Sequence, residues 1–442
     1  MRTIELPEKV NAIMETLRDA GFEAYAVGGC VRDSLLGKCP HDWDITTSAL
    51  PEQVKKLFRR TVDTGIAHGT VSVLLGKEAY EVTTYRIDGD YSDRRHPDHV
   101  TFTRNLKEDL KRRDFTINAM AYGSREGLVD LFGGIRDLDD GIIRAVGEPK
   151  ERFEEDALRI LRAVRFSAQL DFAIEEDTLR AAAALSATLS EISAERIREE
   201  LLKILLSDHP ERLIVCYRTG MTAAFLPEFD AMMETPQNTV HHCYDVGTHT
   251  IESIRNIAKD RVLRLTMLFH DTGKPSSRTT DADGRDHFYG HPKVSAEIAG
   301  KVLRRLKFDN DTIRRVVRLV LWHDDKPKLT EEEVRRAMVR CGIEAYPDLF
   351  TVKVADTLAQ SEYRRREKLD YIRGYEKLCE EIIRRGDCLS VKDLAVDGED
   401  LAKAGMKPGP GMGEILQKLL DLVLSDPSLN TKEQLLALGE KL

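Results

Sequence analysis

No stretch of this 442-residue sequence approaches the roughly 18 consecutive apolar residues that a membrane span requires. Its opening residues, MRTIELPEKVNAIMETLRDA, lack the basic segment and apolar run of a secretory leader. A cytoplasmic protein with no membrane partner is therefore expected. Cysteine is scarce and scattered: Cys30, Cys39, Cys216, Cys243, Cys341, Cys379 and Cys388 make an odd count with no C-x-x-C pair. That excludes a disulfide framework and a cysteine-built zinc site, and leaves free thiols. An excess of positive charge is also missing. A net charge of −9 argues against a protein that coats nucleic acid indiscriminately, because neutralising phosphates takes lysine and arginine. Internal repeats and low-complexity tracts are absent as well.

What remains is an ordinary globular composition, 41% hydrophobic and 32% charged, on a chain too long for one hydrophobic core. Basic residues do gather locally, at Arg104, Lys107, Lys111, Arg112 and Arg113, at Lys301, Arg304, Arg305 and Lys307, and at Arg364, Arg365, Arg366 and Lys368. Each cluster alone reads as a solvated helix face, while several together leave room for a confined RNA track. Residues 23–29, 70–75 and 79–85 are short, β-branched and aromatic runs bounded by glycine or charge, and so predict strands. Helical periodicity occupies 7–20 and 51–59. From Glu151 onward apolar residues recur at i, i+3, i+4 and i+7, predicting an almost wholly helical remainder.

Two carboxylates, Asp42 and Asp44, stand at i and i+2 beyond a Gly28-Gly29 turn that follows a predicted strand and opens a helix. On an extended segment that spacing points both acids the same way, as joint coordination of a divalent cation requires. Glu81, between Tyr80 and Val82 in a later strand, could join them. Glycines at such a turn let backbone N–H groups approach a phosphate. The structural alternative has Asp42 and Asp44 capping a turn and Glu81 merely exposed. Two Mg²⁺ ions held by such acids would stabilise the attacking and leaving oxygens of a nucleotidyl transfer.

The segments GGCVRDSLLG and DWD, followed by RRDFTINAMAY at 112–122, DLFGGIRDLDDG at 130–141 and EDALRILRAVRF at 155–166, resemble the nucleotidyltransferase superfamily. Within it the chain is similar to class II CCA-adding enzymes and bacterial poly(A) polymerases over about its first 200 residues. The resemblance implies a polymerase-β-like α/β head in which Asp42, Asp44 and Glu81 are catalytic and bind Mg²⁺. It also implies that Gly28, Gly29, Arg32 and Arg113 bind the nucleotide. Read from spacing alone, Asp156, Arg159, Arg162 and Arg165 form one inclined row on a helix, which an i,i+3 salt-bridge ladder would explain. The resemblance instead makes Asp156 and Arg159 a protein template for the incoming base, with Arg162 and Arg165 reaching triphosphate or primer. The acid would accept from the amino group shared by cytosine and adenine. Residues 86–97, polar with glycine and proline hinges, resemble the loop that CCA-adding members need for the final A.

His-Asp pairs occur at 41–42, 270–271 and 323–324, so the dipeptide alone decides nothing. His270-Asp271, however, ends the apolar run RLTMLFH before a glycine turn. With His249 and Asp356 it resembles the HD phosphohydrolase metal site, and His291 and His323 could serve a second ion. Imidazole and carboxylate suit Mn²⁺, Ni²⁺ or Fe. The alternative is a vestigial domain kept for packing.

The expected architecture is an α/β nucleotidyltransferase head over 1–145, a helical neck with the base-template helix over 146–238, an HD-type helical body over 239–362 and a helical tail over 363–442. The expected partners are the tRNA 3′ acceptor end, CTP and ATP, and no DNA. The rivals are a poly(A) polymerase or A-adding-only enzyme, an HD phosphohydrolase with a regulatory nucleotide-binding head, and a non-catalytic RNA-binding protein.

Overall fold

The computed structural model describes residues 3–89, 99–407 and 409–442. Of the loop expected over 86–97, residues 90–97 lie outside the described residues. The chain forms two compact units, Met1–Pro227 and Glu228–Leu442. The first contains the α/β head and the helices that follow it; the second is helical except for one short hairpin. None of the described helices is long and apolar enough to cross a membrane.

The head is built on a seven-stranded sheet. In chain order its strands are β1 (Ala24–Val27), β2 (Asp44–Thr47), β3 (Thr61–Gly65), β4 (Thr70–Leu75) and β5 (Glu78–Thr84). A small separate hairpin, β6 (Arg86–Asp88) with β7 (Val100–Phe102), precedes β8 (Met120–Gly123) and β9 (Gly127–Asp130). The spatial order is β3-β4-β5-β2-β1-β8-β9. Within this sheet the β2–β5 pair is parallel and the other neighbouring pairs are antiparallel. The strands expected from β-branched patterning are β1, β4 and β5. The helix expected over 7–20 is Glu8–Asp19, which buries Val10, Ile13, Met14 and Leu17 at helical spacing against the head.

Two helices, Pro149–Glu155 and Leu158–Leu170, leave the head, and the second runs beside Ala194–Leu205. Phe115, fully buried, meets Phe166 of Leu158–Leu170 edge-on with ring centroids 5.7 Å apart.

In the second unit, Val246–Arg255 packs on Arg261–Phe269 and on Asp348–Ala359, and His291–Arg305 packs on Asn310–Trp322. Acids start three of these helices: the Asp245 carboxylate accepts from the Thr248 N–H at 2.7 Å, Asp260 from Val262 and Leu263, and Asp309 from Thr312.

Truncating the Phe115 ring leaves a void against Phe166. Phe115→Ala is expected to lower the stability of the first unit by about 3–5 kcal/mol in urea denaturation; a loss below about 1 kcal/mol would remove this ring from the core.

Candidate active site

Strand register assembles the acids of the head. Because β2 runs parallel to β5 with Ile45 opposite Val82, the residues one step earlier, Asp44 and Glu81, stand side by side at the start of the paired segment. Ile45 and Val82 turn into the core and the two acids turn out of it. Asp42 lies just before β2, exposed. The acids feel one another: desolvation, and then the repulsion of Asp42, raise the Asp44 carboxyl against the pull of Arg113. Desolvation followed by Asp44 and Asp42 raises Glu81. Carboxyls pushed toward neutrality by desolvation and then by mutual repulsion are a donor set that a divalent cation would relieve, and all-oxygen donors fit Mg²⁺.

Val27, opposite Asp44 in β1, is followed by the Gly-Gly turn. Gly28 adopts φ 83°, ψ −132°, a conformation open only to glycine, and a Cβ there would stand 2.9 Å from Arg113 Nη1. Arg113, beside Asp109 at 3.8 Å, is thus packed directly under the turn. From Gly29 the helix Gly29–Leu35 carries Arg32, whose Nη1 donates to Asn118 Oδ1 at 2.6 Å. Asn118 Nδ2 in turn donates to Asp114 Oδ1 at 3.1 Å, and Asp114 Oδ2 accepts from Arg162 Nε at 2.9 Å and Nη2 at 2.5 Å. Burial works against the Asp114 charge, but Arg162 more than offsets it and holds the carboxyl well below its usual range.

The expected row of Asp156, Arg159, Arg162 and Arg165 needs correction. Asp156 is not on the helix with the arginines: it has extended dihedrals (φ −140°, ψ 101°) in the break between Pro149–Glu155 and Leu158–Leu170. Its Oδ1 accepts from the Leu158 N–H at 3.1 Å, which is why the chain breaks there and restarts. The salt-bridge ladder does not form either, because each member has its own partner. Asp156 binds Arg196 at 2.7 Å. Arg159 donates to Glu155 at 2.5 Å and to the Arg152 and Arg112 carbonyls, both at 3.0 Å. Arg162 binds Asp114. Arg165 is buried against Glu200 at 3.1 Å and over the Phe166 ring at 4.0 Å. Asp156, Arg159 and Arg162 remain partly accessible, whereas Arg165 is enclosed. Reading the sequence did not single out Asp114, Asn118, Arg196 or Glu200; the last two lie in a segment whose amphipathic pattern masks their roles.

In the second unit the six expected ligands converge. His249 Nε2 lies 2.9 Å from Asp356 Oδ1, 3.5 Å from Asp271 Oδ2 and 3.3 Å from His270 Nε2. On the other oxygen of Asp271, His291 Nε2 lies at 3.3 Å and His323 Nε2 at 3.8 Å, with 3.4 Å between the two imidazoles. The Nδ1 atoms of His270, His291 and His323 face the carbonyls of Met267, Phe288 and Val320 at 2.6, 2.8 and 2.7 Å. A carbonyl only accepts, so these Nδ1 atoms carry a proton, and the Nε2 atoms, which bear the lone pair of an imidazole in its neutral form, turn inward. Lone pairs facing lone pairs and a carboxylate call for a cation, and imidazole with carboxylate fits a transition metal. Lys274 Nζ, 2.7 Å from Asp271 Oδ2, supplies a positive charge there. Burial disfavours the Asp271 charge, yet His270 and Lys274 keep it well below the usual carboxylate range.

Family models match along the chain: the Poly A polymerase head domain over residues 24–144, the RNA and SrmB-binding site of polymerase A over 171–233, and tRNA nucleotidyltransferase domain 2 over 288–438. The CCA-adding enzyme of Lactobacillus helveticus is 39% identical over 428 residues, 96% of this chain and 94% of that protein. That of Lactiplantibacillus plantarum is 38% identical over 439 residues, 98% and 96% of the two chains. Among solved structures, the Bacillus stearothermophilus CCA-adding enzyme in complex with CTP superposes with a TM-score of 0.70 at 30% identity, covering 99% of this chain and 98% of that one.

Gly28→Ala forces a side chain into a glycine-only conformation and against Arg113. A stability loss of about 1–3 kcal/mol in thermal or urea unfolding is expected, with a larger fractional loss of activity as Arg113 is displaced; unchanged activity would detach Arg113 from the site.

Proposed function

The chain belongs to the CCA-adding enzyme family, and from that premise we propose that it completes the 3′ CCA end of tRNA from CTP and ATP by two-metal nucleotidyl transfer. The observation that carries this reading is the β2–β5 register, which sets Asp44 beside Glu81 next to the Gly28-Gly29 turn. Asp42 and Asp44, with Glu81 beside them, would hold two Mg²⁺ ions. Mg²⁺ bound there supplies charge neutralisation at the transferred phosphoryl group. The RNA 3′-oxygen bonds to the α-phosphorus as the bond to the bridging oxygen of pyrophosphate breaks. Gly28, Gly29, Arg32 and Arg113 hold the triphosphate, so that positioning and fixed charge provide most of the acceleration. Asp156 and Arg159 read the base edge, the acid accepting from the amino group of cytosine or adenine and the guanidinium donating to ring and carbonyl acceptors. Arg162, tied to Asp114, remains a candidate for triphosphate or primer contact, whereas Arg165 acts by bracing Glu200 and Phe166. In this division residues 1–145 are the catalytic head, 146–238 the neck, 239–362 an HD-type body and 363–442 a tail that helps bind the tRNA.

A second reading, hydrolysis of a phosphoester at the HD cluster, is favoured by the convergence of His249, His270, Asp271, Asp356, His291 and His323. Mn²⁺, Ni²⁺ or Fe bound there supplies the Lewis acid. Asp271 presents one oxygen to each group of imidazoles, and the Nδ1–carbonyl contacts fix the ring orientations.

Stepwise assays on tRNA ending before C74, C75 and A76 (standard tRNA numbering), with each NTP offered separately, test the first reading. CTP should be used twice and ATP once; ATP-only polymer growth on any RNA would identify a poly(A) polymerase, and ATP use at the last position alone an A-adding enzyme. Asp42→Ala and Asp44→Ala should each cost on the order of a thousandfold or more in rate, and retention of incorporation would exclude the site. For the second reading, Asp271→Ala should abolish both tight Mn²⁺ or Ni²⁺ binding in a calorimetric titration and hydrolysis of p-nitrophenyl phosphate or bis-p-nitrophenyl phosphate, while CCA addition persists. Wild-type protein that binds neither ion would sink it.

A further inference from the structure

We propose that Arg196 is a positioning residue that makes Asp156 a reader of amino groups, and thereby sets the preference for CTP and ATP over UTP and GTP. The proposal rests on the template reading of Asp156 given above. Asp156 has no helical neighbour to orient it, because the chain breaks at this residue. One oxygen, Oδ1, is held by the Leu158 N–H at 3.1 Å. That single contact would leave the carboxylate free to pivot, since the terminal torsion of aspartate is broad. The second point of fixation comes from forty residues downstream: Arg196 Nη2, on the helix Ala194–Leu205, donates to Oδ2 at 2.7 Å.

With one protein donor on each oxygen, the carboxylate is fixed in plane and keeps lone pairs only for acceptance. An amino group, present on cytosine and adenine at the matching position, satisfies such an oxygen. A carbonyl, which uracil and guanine place there, meets it acceptor to acceptor. The side chains of Arg196 and Asp156 are 22% and 15% exposed, so this charge-assisted bond works in a partly dry setting where it is strong.

One turn beyond Arg196 on the same helix, Glu200 braces Arg165 at 3.1 Å, so this helix orders both ends of the segment that carries the template.

The test compares wild type, Arg196→Gln, Arg196→Lys and Asp156→Asn in single additions of CTP and of UTP to tRNA lacking CCA, measuring kcat/KM for each. Arg196→Gln should lower the CTP:UTP ratio about tenfold or more. Arg196→Lys, which keeps the charge and one donor, should recover most of it, and serves if the glutamine variant fails to fold. A structural role would depress both nucleotides equally, so an unchanged ratio in the glutamine variant, or in the lysine variant a uniform loss, overturns the proposal. Asp156→Asn separates the two layers: if it leaves the ratio intact, the template reading fails; if it collapses the ratio while the Arg196 variants do not, only the role of Arg196 falls.

Discussion

The buried carboxylate of Asp114 is the constraint on which the first unit depends. Its two oxygens bind in opposite directions. Oδ1 accepts from Asn118, which holds Arg32 on the helix after the Gly-Gly turn, and Oδ2 accepts from Nε and Nη2 of Arg162. A single charge therefore ties the Gly28-Gly29 turn, through Asn118 and Arg32, to the helix Leu158–Leu170. Burial alone would neutralise this acid; Arg162 keeps it ionised, and an ionised buried acid must keep its partners in place or bear a large desolvation cost. The two neighbours of Asp114 in the chain extend the tie. Arg113 packs under Gly28, and Phe115 meets Phe166 of the same helix that carries Arg162. Three consecutive residues thus connect the Gly28-Gly29 turn with the helix Leu158–Leu170.

The legible parts of the sequence were those whose chemistry matches their environment. β4 and β5 are rich in β-branched and aromatic residues bounded by glycine or charge, and the helices announce themselves through apolar spacing. β2 escaped because it reads DITT. Its two threonines are fully buried yet satisfied, Thr46 donating to Asp109 at 3.0 Å and Thr47 to the Glu23 carbonyl at 2.6 Å, so polar residues occupy positions where a pattern search looks for aliphatic ones. The break at Asp156 was hidden for a related reason. EEDALRILRAVRF keeps helical spacing throughout, and only the competition of the Asp156 side chain for the Leu158 N–H shows where the helix stops. The acids at 42, 44 and 81 were recognisable as candidates, but their adjacency depends on a parallel register that no local signal encodes.

The HD ligands were legible as residue types and not as a geometry. His249, His270, Asp271 and Asp356 fit a pattern, while His291 and His323 were only possible additions. The structure makes all six neighbours because three helix ends, at His270, His291 and His323, point imidazoles inward while their Nδ1 atoms bind nearby carbonyls within the same turn. That local contact, made three times with a separation of three residues, could have been sought in the sequence by asking which histidines terminate or begin apolar helices.

The two donor sets differ in the kind of ion that each would favour. The head acids are oxygen-only, solvent-accessible and mutually repulsive, conditions under which a hard ion that keeps part of its hydration is favoured. The second cluster is nearly closed to solvent, rich in imidazole and already charge-compensated by Lys274. A hard, strongly hydrated ion gains little there, since it would shed water for nitrogen donors that it binds weakly; a borderline transition ion gains much. Discrimination between the sites therefore needs no difference in overall affinity, only a difference in donor type and burial. Because Asp271 divides its two oxygens between the two groups of imidazoles, a change at that one residue would be felt on both sides of the second cluster while leaving the oxygen donors of the head as they are.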